Sequence, residues 1–137
     1  MEDVRLQTSD LRKMRMRNFK DLQVWHKAHL LTLKIYKLTL SFPAEERFGL
    51  ISQLRKASAS IATNIAEGCG SGSNTELKRF FDIAMGSASE VEYQILLAHD
   101  LKYIADKDYK EIVFNTEEVK KMLTSYIKKI KSSKSDI

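Results

Sequence analysis

Residues 77–98 read LKRFFDIAMGSASEVEYQILLA. Leu77, Phe81, Ala84, Ala88, Val91, Ile95 and Ala98 recur at alternating steps of 4 and 3. An α-helix turns every ~3.6 residues, so this step lays all seven along one side of a single long helix. A strand would need a period of two, which the segment lacks. Just upstream, Ser73 and Glu76 stand three apart. That spacing predicts a capping box, in which each side chain accepts the other's free backbone N–H. The helix is expected to run to about residue 103.

The same step continues on both sides. Ile112, Thr116, Val119, Leu123, Tyr126 and Ile130 predict a last helix, with Asp106 or Asp108 as its cap. Upstream, Leu50, Leu54, Ala57, Ile61 and Ile65 predict a helix that begins near residues 44–46. Gly68 is placed to be the left-handed residue past its end. Val24, Ala28, Leu31, Ile35, Leu38 and Phe42 predict a first helix over about 19–41, ended by Phe42-Pro43. Beside that seam run Leu22, Trp25, His29, Leu33, Tyr36 and Leu40. A helix apolar on more than one face contacts more than one neighbour. Four helices joined by short loops predict an all-α, antiparallel up-and-down four-helix bundle over 19–131. Residues 1–18 are expected to form a mobile or weakly helical basic arm, and 132–137 a disordered tail.

With 137 residues, a single domain is the default. One proline and five glycines leave few interruptions for long helices. No apolar run approaches the ~20 residues of a membrane span, and the lone Cys69 cannot form an internal disulfide, so a cytoplasmic protein is expected. The net charge of +5 sits at the ends. Residues 19–127 carry fourteen basic and fourteen acidic side chains. Basic tails on a neutral body are a weaker nucleic-acid signal than a basic helix face.

The sequence offers no catalytic set. The Glu-x-x-His pairs of a di-metal bundle are missing. His26 and His29 stand three apart without a carboxylate or cysteine to complete a metal site. The glycine-rich loop at 68–73 follows a helix and lacks the Lys-Ser/Thr of a phosphate-binding loop. Cys69 has no local base and reads as an exposed, incidental thiol. Ser60 and Ser87 have no histidine partner. No cofactor is implied.

A polar stripe is the more informative feature. Gln53, Ser60, Asn64 and Glu67 fall within about 60° on one helix, and Ser87, Glu90 and Gln94 share a face of the next. Such groups are either solvated, joined in an internal network, or part of an assembly surface. In a hairpin centred on the 69–72 loop, Gln53 lies near Ser87 and Glu90, Arg55 is poised to pair with Glu90, and Asn64 and Glu67 approach the start of the third helix.

Taken in order, several segments resemble one family. They are Phe19-Lys20-Asp21-Leu22 with Val24-Trp25, Phe42-Pro43, Gly49-Leu50, Gln53-Leu54-Arg55, Asn64-Ile65-Ala66-Glu67-Gly68, and Ile83-Ala84-Met85-Gly86-Ser87 with Glu90. The family is that of bacterial four-helix-bundle proteins encoded within intervening sequences of 23S ribosomal RNA. The resemblance implies a non-enzymatic homopentamer. It also implies an association with RNA or DNA, by kinship with the accessory proteins of diversity-generating retroelements. Many relatives carry arginine or lysine where this chain has Ser71 and Gly72, which leaves Lys78 and Arg79 as the nearest cations. The expected phosphate contacts are therefore Arg12, Lys13, Arg15, Arg17, Lys78, Arg79, Lys128, Lys129, Lys131 and Lys134. The alternative is a structural or protein-partner adaptor that binds no nucleic acid.

Overall fold

The seven-residue seam of 77–98 lies on a helix and is wholly buried, each residue at 0% exposure. The structure is a computed structural model that describes residues 18–132. It comprises α1 (Gln23–Thr39), α2 (Leu50–Cys69), α3 (Asn74–Asp100) and α4 (Asp106–Ser132), with 3-10 turns at Phe19–Asp21 and Ala44–Glu46. The described residues contain no strand. Each helix packs on its sequence neighbours, and α4 returns to α1, closing an up-and-down four-helix bundle.

The core consists of the four seams. Val24, Leu31, Ile35, Leu54, Ile61, Ile65, Val119 and Leu123 are each at most 1% exposed. Burial of one such side chain contributes about 1.5–3 kcal/mol. Small residues on the same faces, Ala28, Ala57, Ala84 and Ala88, are also buried and let the helices approach closely.

Several boundaries differ from expectation. After Pro43 the chain makes a 3-10 turn, and α2 begins only at Leu50. The reason is Glu46, whose Oε1 accepts the Leu50 N–H at 3.1 Å. A β-carbon on Gly49 would come within 2.9 Å of that oxygen, so glycine is needed there. Glu46 Oε2 also accepts the Tyr103 hydroxyl at 3.0 Å, tying the α1–α2 turn to the α3–α4 turn at the same end of the bundle.

Gly68 is not a left-handed cap. No glycine has a positive φ, and α2 continues through Cys69. A β-carbon at Gly68 would lie 3.2 Å from the Phe81 ring and 3.3 Å from Phe80 Cβ, so the missing side chain serves close packing. Cys69 follows it into the core at 2% exposure and is not the exposed thiol expected.

At the start of α3 only half the capping box forms. Ser73 Oγ accepts the Glu76 N–H at 3.1 Å. The Glu76 carboxylate turns instead to Arg79, at 3.0–3.3 Å, and this bond holds the carboxyl below its ordinary range. Asn74, in the first turn, is buried with both amide atoms unpartnered among the described residues. The far end of α3 closes two to three residues early, through Lys102 at φ 69°. Lys102 N–H reaches the His99 carbonyl and Tyr103 N–H the Ala98 carbonyl, each at 2.9 Å. This is a Schellman closure with lysine where glycine is usual. Neither Asp106 nor Asp108 caps α4. Both lie inside its first turn, and Asp106 binds His99 Nε2 at 2.7 Å.

Candidate functional site

The polar stripe lies along the α2–α3 seam. Ser87 Oγ donates to Ser60 Oγ at 2.9 Å. Asn64 Nδ2 donates to that same hydroxyl at 3.0 Å and to the Ser60 carbonyl at 2.8 Å. One turn or more away, Gln94 Nε2 approaches Gln53 Oε1 at 3.4 Å and Glu90 Oε2 at 3.3 Å. Ser60, Asn64 and Ser87 are half-buried, while Gln53 and Glu90 are exposed. The layer therefore borders solvent and is shallow. It contains no base aligned on a nucleophile.

The register differs from a hairpin centred on the loop. Gln53 meets Gln94, a turn beyond Glu90, and Ser60 meets Ser87. Gly68, at the end of α2, packs against residues 80 and 81, two turns into α3. The first turns of α3 thus overhang α2, which shifts every pairing along the seam.

Arg55 does not pair with Glu90. Its Nε donates to Thr39 Oγ1 at 2.9 Å and its guanidinium to the Tyr36 carbonyl at 3.1 Å, with the Tyr36 ring 4.7 Å away. Positions five apart on a helix differ by about 140°, so Arg55 and Ser60 cannot both face α3. Arg55 instead joins the α1–α2 seam, which also holds buried Thr32, 2.9 Å from the Ser58 carbonyl. Glu67 is exposed and makes no hydrogen bond among the described residues. It borders a groove of about 600 Å³ between α1 and α2, lined by Trp25, His29, Tyr36 and the alanines at 59, 62 and 66. Trp25 stacks on His29 at 4.9 Å.

The candidate phosphate contacts are dispersed. Lys78 pairs with Asp82 at 2.7 Å, and Arg79 with Glu76 while lying 4.5 Å over Phe80. Lys128 and Lys131 are exposed near the end of α4, and Lys129 lies 6.0 Å from the Tyr126 ring. Arg12, Lys13, Arg15, Arg17 and Lys134 lie outside the described residues. Among the described residues no group of three or more His, Cys, Asp or Glu side chains can hold a metal ion, and no helix is long and apolar enough to cross a membrane.

Fold and surface together define a four-helix bundle whose distinctive residues lie on seams and outer faces. The model of the 23S rRNA-intervening sequence protein family matches residues 20–125, and the chain belongs to that family. Among solved structures, the chain is similar to a protein of unknown function from the S23 ribosomal protein family of Bacteroides thetaiotaomicron. The two are 28% identical with a TM-score of 0.70, covering 77% of this chain and 98% of that one. Comparison with curated proteins finds no match.

Proposed function

We propose that the protein is a non-enzymatic, cytoplasmic homo-oligomer, a ring of five, that associates with RNA. The observation that carries this reading is the outer face of α1. Leu33 is 52% exposed and Leu40 77%, with Phe48 in the following turn at 89%. Large apolar side chains grouped on one exposed face mark an interaction surface. Membership of a family named for an intervening sequence of ribosomal RNA directs the nucleic-acid part. Five copies would bring five sets of terminal cations together, turning a weak single-chain charge into a substantial field.

Light scattering followed by a gel shift in rising salt tests the reading. A multi-chain particle is expected, with RNA affinity falling steeply as salt rises. Replacing Lys128, Lys129 and Lys131 by glutamine is expected to flatten the salt slope by about 0.7–0.9 for each phosphate no longer neutralised. Absence of RNA and DNA binding at low ionic strength overturns the nucleic-acid part. The neutral charge of 19–127 favours the second reading, a protein-partner adaptor, which predicts the same particle and no shift.

A further inference from the structure

We propose that the assembly is built head to tail, the outer face of α1 and α2 in one copy docking on the outer face of α3 in the next. The inference rests on the oligomeric reading above and adds which surfaces meet.

Charge is segregated by helix. Residues 23–42 and 47–66, spanning α1 and α2, carry six lysines and arginines and no acid. Residues 80–101, most of α3, carry four acids and neither lysine nor arginine. Some of these charges are satisfied within the chain. Lys27 and Lys34 reach Glu118 and Glu111 on α4, and Glu92 reaches Lys120. Lys37, Arg47 and Lys56 remain exposed on one side, and Glu90 and Asp100 on the other. Two α1–α2 faces brought together would oppose cation to cation, and two α3 faces acid to acid. Only the unlike pairing is complementary, and like-charge contacts across an interface are costly.

Both faces also carry apolar groups without a neighbour. On α3, Tyr93 is 61% exposed. Asp82, Gly86, Tyr93 and Asp100 fall within about 40° on the helix and form one outer stripe. Gly86 has no account within the chain. A β-carbon there meets nothing within 4 Å, yet glycine in a helix interior costs about 1 kcal/mol relative to alanine. Close approach of a second copy supplies the reason. The α1–α2 side offers the shape to receive it, a groove floored by alanines and edged by Tyr36. Phosphate would engage the cations but has no use for Leu33, Leu40 and Phe48 standing among them, so a second copy is the better occupant. An unlike interface repeats until it closes into a ring or runs on as a filament.

A mixing experiment tests the assignment. Phe48→Asp spoils only the α1–α2 face and Tyr93→Arg only the α3 face. Both side chains are exposed in the single chain, so far-UV circular dichroism should match wild type. By light scattering each variant alone is expected at the mass of one chain, 15.8 kDa. An equal mixture is expected to give a two-chain species, because one intact face of each kind remains. A mixture that stays at one chain, or either variant assembling as wild type does, overturns the inference. If Phe48→Asp assembles normally and loses only RNA affinity, the face belongs to nucleic acid and the inference fails. A wild-type protein that is one chain at every concentration sinks the oligomeric reading itself, a result distinct from failed mixing of an assembling protein.

Discussion

At Gly68 a β-carbon would press 3.2 Å from the ring of Phe81, which is itself 0% exposed and has no room to yield. Gly68→Ala is therefore expected to destabilise by about 1–3 kcal/mol through overpacking, less the helix-propensity gain of about 1 kcal/mol. Gly86→Ala meets nothing and is expected to gain about 1 kcal/mol. It is best measured by urea unfolding in the Tyr93→Arg chain, so that assembly does not contribute. Lys102 holds a left-handed backbone at φ 69°, which costs a residue with a β-carbon about 1 kcal/mol. Lys102→Gly is expected to recover a large part of that as a higher urea midpoint. The sequence marked Gly68 as structurally special but assigned it the wrong reason. A glycine needed for space and one needed for positive φ look alike until the opposing side chain is known.

Between elements, the seams were legible because a 3–4 step can only be one side of a helix. Which neighbour a flanking residue faces was less so. Arg55 and Ser60 look adjacent in sequence, yet they belong to different seams, and the overhang of α3 displaced Gln53 from Glu90 toward Gln94. Loop sequence sets an approximate hairpin centre, while packing of Phe80 and Phe81 against Gly68 sets the register. The α1–α2 seam makes a sharp prediction. Arg55 reaches Thr39 and the Tyr36 carbonyl with two arms of one fork, which a lysine cannot reproduce. Arg55→Lys is expected to lose about 1 kcal/mol by urea unfolding. At the α3–α4 corner, the hydrogen bond from His99, followed by its charge, holds the Asp106 carboxyl below its ordinary range. A lowered folded value means that the stabilisation is present above the unfolded pKa, about 3.9, and is lost as pH falls through the folded one. Asp106→Asn is thus expected to be less stable than wild type near neutral pH, with the gap closing in acid.

Across the whole molecule, the neutral charge total of the body conceals two opposed patches. The total gave no hint of them, because it takes the fold to place α1 and α2 together on one face and α3 on another. The nucleic-acid reading depends on the particle as much as on any cation. If tails act in concert, the one-chain Tyr93→Arg form is expected to bind RNA about 10²–10⁴-fold more weakly than wild type at equal chain concentration, as multivalent binding requires. A gel shift across a dilution series measures this. The position of Trp25 adds a practical consequence. It is the chain's single tryptophan, and it lines the groove where the next copy is proposed to dock. Its indole is held by His29 on one side and the Phe19 edge on the other, so local tumbling contributes little to its emission. Intrinsic fluorescence therefore becomes a label-free optical reporter of docking. A blue shift should appear as wild-type chain concentration rises, while the Tyr93→Arg spectrum stays fixed.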